Sequence, residues 1–296
     1  MNFAIIGVGG YIAPRHIEAI RDLGHQLVAA YDKTDSVGIL DRYFPDCHFF
    51  ADFERFEAFI DSCRGTPDEV HYISICTPNY FHLDHIKFAL SHGANAICEK
   101  PLVLHDSDFD ELAIYEKRYD RKVFTVLQLR LHDSIIALKQ KVEAQGKDSH
   151  TVDLNYMTSR GSWYHESWKG DVRKSGGLST NIGVHFFDML TWIFGEEISV
   201  EVHQKSSETE SGELRLKKAV VKWMLTIDRA QLPAKALNFG KTTFRSIKID
   251  GDEFEFSEGF TELHKRVYSD IISGDGYGLE AARPAIRIVE KIRGMK

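Results

Sequence analysis

From Asn2 to Ile6 the chain is almost wholly apolar, and the run then breaks into Gly7-Val8-Gly9-Gly10. The next segment, YIAPRHIEAIRDLG, places apolar residues at Ile17, Ile20 and Leu23 and stops at Gly24, the spacing of a helix with one buried face. HQLVAAYD follows as a β-rich run ending on Asp32. EVHYISIC reads as a buried strand broken at Thr77-Pro78, and the helix after it stops at Gly93. ANAICEKP is a further strand, DSDFDELAIYEKRYD a helix capped by Asp106 or Ser107, and RKVFTVLQLR a sixth strand. Strands alternating with helices predict a parallel, doubly wound α/β sheet.

After about residue 124 the pattern changes. DSIIALKQKVEAQ has helical spacing, and TVDLNYMTSR alternates as a strand. ISVEVHQK, LKKAVVKWMLTID, FRSIKID and EFEFSE are β-rich, the last two joined by Asp250-Gly251, a hairpin signal. The polar stretch QKSSETESGE reads as one surface loop. Two terminal helices follow, FTELHKRVYSDIISG and GLEAARPAIRIVEKIRG, with Pro284 marking the start of the second or a kink in it. The expected architecture is an N-terminal Rossmann dinucleotide-binding domain over residues 1–124 and a C-terminal α/β domain over 125–296. The second domain would carry a largely antiparallel open sheet for substrate binding and oligomerisation. Its last helix is free to return to the first domain.

Composition narrows the classes. No apolar run in the 296 residues approaches the roughly 20 needed to span a bilayer, and MNFAIIGVGG lacks the basic start of a signal peptide. Cys47, Cys63, Cys76 and Cys98 show neither metal-ligand spacing nor a disulfide framework, so a reduced, cytoplasmic protein without a metal is expected. A net charge of -7 argues against a nucleic-acid partner.

Strand, glycine turn, helix, strand and terminal acid are ordered as in a dinucleotide-binding βαβ unit. Gly7, Gly9 and Gly10, with Tyr11 and Ile12, would bring backbone amides to a pyrophosphate at a helix N-terminus. The third glycine of G-x-G-x-x-G falls at Ile12. Asp32 would accept from ribose hydroxyls and repel a 2′-phosphate, favouring NAD over NADP. Ligands of such sheets lie outside the carboxyl ends of the strands, which adds Thr77-Pro78, Glu99-Lys100-Pro101 and Gln128 to the same edge. In the second half, Ser179 or Thr180 can cap a helix ending near Gly195, on which Asn181, His185 and Asp188 share a face. Arg160, Trp163, Tyr164, Trp168, Lys169, Arg173 and Lys174 precede it. A lone helical histidine is more often structural, and a charged loop more often merely solvated. The convergence of amide, imidazole, cations and aromatics suits an anionic substrate with planar parts.

Together these residues resemble the Gfo/Idh/MocA oxidoreductases, which pair a dinucleotide fold ending its fifth strand in E-K-P with a C-terminal domain carrying G-G-x-x-x-[DN]-x-G-x-H. The matches are Glu99-Lys100-Pro101 and Gly177, Asn181, Gly183 and His185, with Gly176 just before. GYIAPRH, YDKTDSVG, ICEKPLV, SRGSWYHESWKGDVRKS and NIGVHFFDML look most like the WlbA/WbpB group, UDP-N-acetylglucosaminuronate 3-dehydrogenases of bacterial surface-polysaccharide (O-antigen) synthesis. That group shares the missing third glycine. The resemblance implies NAD as cofactor, a UDP-sugar as substrate, and Thr77, Pro78, Asn79 and His82 facing the cofactor. It implies Lys100 and His185 at the C3 hydroxyl, Asn181 positioning the sugar, and Glu99 on cofactor ribose. Arg160, Lys169 and Arg173 would hold the carboxylate and pyrophosphate, with aromatics such as Trp163 and Tyr164 for a sugar face or base. Which of Lys100 and His185 is the base stays open, as does recycling of NADH by 2-oxoglutarate. A homotetramer is expected by analogy. The alternatives are a dehydrogenase of another sugar or polyol in the same family, or a non-catalytic NAD(H) sensor.

Overall fold

The computed structural model describes residues 1–254, 260 and 262–295, and these form two compact units. The first is built on β1 (Asn2–Ile6), β2 (Gln26–Tyr31), β3 (His48–Phe50), β4 (Tyr72–Ile75), β5 (Asn95–Cys98) and β6 (Val123–Thr125). They lie in the order β3-β2-β1-β4-β5-β6, and every pairing is parallel. The central β1 and β4 are apolar runs buried on both faces, as a helix-covered parallel sheet requires. Winding reverses between β1 and β4, so the segments leaving these two strands open the edge where such folds bind ligands. Helices Ala13–Asp22, Phe53–Ser62, His82–Ser91 and Ser107–Tyr119 connect the strands.

This first unit is not one stretch of chain. It comprises Met1–Val103, Ser107–Gln128 and, among the described residues, 262–282. Helix Leu263–Ser273 packs on helix Ala13–Asp22, buries Leu263, Val267 and Ile271, and sets the Tyr268 ring 5.8 Å from Phe3.

The second unit carries β7 (His150–Thr158), β8 (Glu197–Lys205), β9 (Thr209–Leu216), β10 (Ala219–Thr226), β11 (Thr243–Ile249) and β12 (Asp252–Glu253) in the order β12-β11-β7-β10-β9-β8. All neighbours are antiparallel except β7 and β10. Helix Val184–Phe194 covers this sheet, with Phe186 5.0 Å from the Tyr156 ring and Phe187 5.5 Å from Trp223. Among the described residues no helix is long and apolar enough to cross a membrane.

Several local expectations are corrected. QKSSETESGE is not a loop: β8 runs through Lys205 and β9 restarts at Thr209, so most of it is a strand hairpin. β6 ends at Thr125, and Gln128 opens a single turn of 3₁₀ helix, Gln128–Leu131. Asp106 stands just before helix Ser107–Tyr119, and its carboxylate is held by Arg283 at 2.7 Å and Arg287 at 2.9 Å. Helix Leu279–Gly294 starts five residues before Pro284, so the proline does not mark its start. Of EFEFSE, only Glu253 falls in β12, and residues 255–258 lie outside the described residues.

Candidate active site

At the first unit's edge, the backbone turns sharply after β1. Gly7 has φ +89°, its N–H donates to Tyr31 O at 2.8 Å, and a Cβ there would lie 2.9 Å from Cys76 C and Thr77 N. No side chain fits where the two chain segments cross. Gly10 N–H closes the turn onto Gly7 O at 3.0 Å, Tyr11 is exposed, and Ile12 leads directly into helix Ala13–Asp22. Asp32 reaches back from β2: its Oδ2 accepts from Gly9 N–H at 2.9 Å, and its Oδ1 accepts from the N–H and hydroxyl of Thr34 at 3.0 Å. Close backbone, helix amides and a carboxylate with a lone pair to spare are what a dinucleotide's pyrophosphate and ribose need. The residues fit that group.

The segments after β4 and β5 are tied together by His82. Its Nδ1 lies 2.7 Å from Pro101 O and its Nε2 2.8 Å from Thr77 O, and the side chain is buried. Burial lowers its pKa, while the two carbonyl contacts work to raise it. Both ring nitrogens of His82 thus lie against backbone carbonyls of the segments that follow β4 and β5. Thr77 Oγ1 lies 3.0 Å from His85 Nδ1, Pro78 starts the short turn Asn79–Phe81, and Asn79 is buried.

Lys100 is half-buried, but Glu99 before it is buried in a network that sequence reasoning missed. Glu99 Oε1 meets His16 Nε2 at 3.0 Å and His264 Nε2 at 3.1 Å, and its Oε2 accepts from Lys100 N–H at 3.3 Å. Tyr268 Oη joins His16 Nδ1 at 2.7 Å to Ser74 Oγ at 2.6 Å. Burial would raise the Glu99 pKa, but the hydrogen bonds from His16 and His264 outweigh it and hold the carboxyl well below its usual range. Glu99, expected on cofactor ribose, has one oxygen given to two imidazoles. Among the described residues, His16, Glu99 and His264 are also close enough to share a metal ion. Gln128 Oε1 is buried without a hydrogen-bond partner.

In the second unit, Asn181 belongs to a π-type turn, Ser179–Gly183, that runs into the helix bearing His185. The wider turn replaces the α-helical spacing the sequence implied. Neither Ser179 nor Thr180 caps through its side chain; the Ser179 N–H instead donates to buried Glu210 at 2.9 Å. Asp188, one turn beyond His185, is gripped by Arg130 through contacts of 2.6 and 3.1 Å with both groups buried. Asn181 and His185 are half-buried, and Asn181 Nδ2 donates to Tyr164 Oη at 3.0 Å. Lys169 Nζ lies 5.3 Å from the Trp163 ring and 5.7 Å from Trp168, and burial, then the nearby charge of Arg160, lowers its pKa. Tyr164, Lys169, Trp163 and Arg160 therefore gather near Asn181. Arg173 does not join them: it is exposed and forks onto Asp171 at 3.1 and 3.0 Å.

Residues 1–127 match the profile described as an oxidoreductase family, NAD-binding Rossmann fold, and 147–231 match its C-terminal alpha/beta domain. The chain belongs to the Gfo/Idh/MocA oxidoreductase family. It is similar over its whole length to the WlbA (WbpB) dehydrogenase of Thermus thermophilus, solved with NAD and alpha-ketoglutarate: 47% identity, TM-score 0.96, 100% of this chain and 96% of that one. A structure of the same dehydrogenase with NAD and UDP-GlcNAcA gives 46% identity, TM-score 0.96 and coverage of 100% and 95%. Among curated relatives, 2,7-anhydro-N-acetylneuraminate hydratase of Mediterraneibacter gnavus is 28% identical over 208 residues, 68% of this chain and 52% of that protein. The chain spans about half the length of the curated relatives it matches. As a Gfo/Idh/MocA protein it keeps its Glu-Lys-Pro at the end of β5 and its Asn-x-Gly-x-His where the π-type turn enters the helix.

Proposed function

We propose that this chain is an NAD-dependent dehydrogenase that oxidises the C3 hydroxyl of UDP-2-acetamido-2-deoxy-D-glucuronate to the 3-keto sugar for bacterial surface-polysaccharide synthesis. The observation carrying the reading is whole-chain similarity, at 46% identity, to a dehydrogenase solved with NAD and UDP-GlcNAcA. The glycine turn and Asp32 support the cofactor, since each supplies a group the dinucleotide needs.

NAD+ supplies the hydride acceptor for C3. A secondary alcohol gives up hydride readily only as its hydroxyl proton leaves, so a base must sit at that oxygen. Lys100 and His185 share this work: one removes the proton, and the other holds the oxygen by hydrogen bond. An imidazole has the intrinsic pKa for the task. Asn181, its amide fixed by the Tyr164 hydroxyl, orients the sugar. Arg160 and Lys169 repel one another, and an anionic ligand relieves that repulsion, so they take the carboxylate and pyrophosphate. The alpha-ketoglutarate complex of the Thermus dehydrogenase supports 2-oxoglutarate as the terminal oxidant here. A cytoplasmic homotetramer completes the proposal.

The test is anaerobic absorbance at the NADH band after mixing protein, NAD+ and the UDP-sugar. A rise proportional to enzyme is expected, with multiple turnovers once 2-oxoglutarate is added. Lys100→Ala should lower the rate about a hundredfold while NAD affinity is kept. No change with this sugar, but a rise with another sugar or a polyol, would reassign the substrate.

A further inference from the structure

We infer that His16, His264 and Tyr268 are positioning residues that act through Glu99 on Lys100, which makes helix Leu263–Ser273 part of the catalytic edge of the first unit. The inference rests on the proposed role of Lys100 at the substrate hydroxyl.

Glu99 is held at three points: two imidazoles on Oε1 at 3.0 and 3.1 Å, and the N–H of Lys100 on Oε2 at 3.3 Å. An ionised carboxylate only accepts, so each histidine must donate from Nε2. For a singly protonated His16, Nδ1 is then an acceptor for the Tyr268 hydroxyl, whose own oxygen accepts from Ser74. Donors and acceptors match along the whole chain, from β4 through two helices to the residue beside Lys100. His16, Ser74 and Tyr268 have 0% exposure. Buried polar groups cost stability that well-packed apolar side chains would not, so a chain of them points to a demand for geometry rather than for strength. His264 Nδ1 is buried with no partner, so Nε2 on Glu99 is what that side chain contributes. The same His-Glu-His set could serve a metal, but its N–O separations are those of ordinary hydrogen bonds, each with a donor available.

The experiment compares wild type, His264→Phe, which removes the donor, and His264→Gln, which restores an N–H near the place of Nε2. Lys100 is read directly, without any substrate, as its rate of labelling by acetic anhydride relative to surface lysines, by peptide mass spectrometry. His264→Phe should change that ratio about threefold or more, and His264→Gln should bring it back. With the UDP-sugar, kcat should fall about tenfold or more in His264→Phe with KM and NAD affinity nearly unchanged. If wild type ignores the sugar while the labelling responds, the substrate assignment fails and the positioning network stands. Unchanged labelling in a folded His264→Phe overturns the network, as does one equivalent of metal in wild type that is lost with the histidine. Should His264→Phe not fold, Tyr268→Phe removes a single hydroxyl and carries the same readout, and wild-type labelling there overturns the network equally.

Discussion

Asp32 divides its two oxygens between the glycine turn and Thr34: Oδ1 accepts twice from Thr34, and Oδ2, which accepts once from Gly9, still has a lone pair to offer. Asp32→Ala should therefore weaken NAD about tenfold while lowering the penalty for NADP, so the ratio of the two dissociation constants narrows. Fluorescence titration with both cofactors measures this, and an unaltered ratio would mean that discrimination lies in another residue. His85 makes a second residue-scale prediction. Burial between Phe53 and Phe81 lowers its pKa to about 4, against about 6.5 in an unfolded chain. A depressed folded value means that its share of stability is whole above the unfolded pKa and is lost as pH falls toward the folded one. Between pH of about 6.5 and 4 the native state should thus lose up to about 3 kcal/mol from this site. Urea midpoints at several pH values check it: His85→Phe should flatten the slope in that window, and parallel curves would place the titrating group elsewhere.

The hairpin of β8 and β9 shows how an element can hide from sequence patterning. A Cβ at Gly212 would run into the carbonyl oxygen of Glu201 on β8, and would also come 2.9 Å from the Trp223 ring. Gly212→Ala should cost about 1–3 kcal/mol in denaturant unfolding, and a cost near zero would mean that the two strands can separate freely. Thr209, Glu210, Ser211 and Gly212 have no apolar alternation, so nothing local announces a strand. Their burial comes from distant partners: Glu210 accepts from Ser179, and Thr209 meets the Thr226 hydroxyl at 2.8 Å. The parallel sheet was legible because its apolar runs and glycine stops are local features. The same division runs through the site. Gly7, Asp32 and Glu99-Lys100-Pro101 stand out at strand ends, whereas His264 reaches Glu99 across a separation of 165 residues and His16 gives no local sign of its role. The π-type turn escaped for a further reason: a spacing of four fits an α-helix equally well, and only backbone geometry separates the two at Asn181.

At the scale of the molecule, the first unit is assembled from sequence on both sides of residues 129–260, the main segment of the second. Residues 1–128 contain all six of its strands, yet the outward face of helix Ala13–Asp22 would be bare without helix Leu263–Ser273. The loss would include Leu263, Val267, Tyr268 and Ile271, all buried, and the Tyr277 carbonyl that accepts from Thr125 N–H at 2.9 Å beside β6. At roughly 1.5–3 kcal/mol for each large apolar side chain, the missing burial is comparable to the whole stability of a domain. A fragment of residues 1–128 should therefore unfold at much lower denaturant than the same unit in the full chain, without a sharp transition. Joining 262–282 to it by a flexible linker should restore cooperative unfolding, followed by circular dichroism. A fragment of 1–128 that melts sharply on its own would show that the returning helix is an accessory, and that His264 and Tyr268 sit on a unit already complete without them.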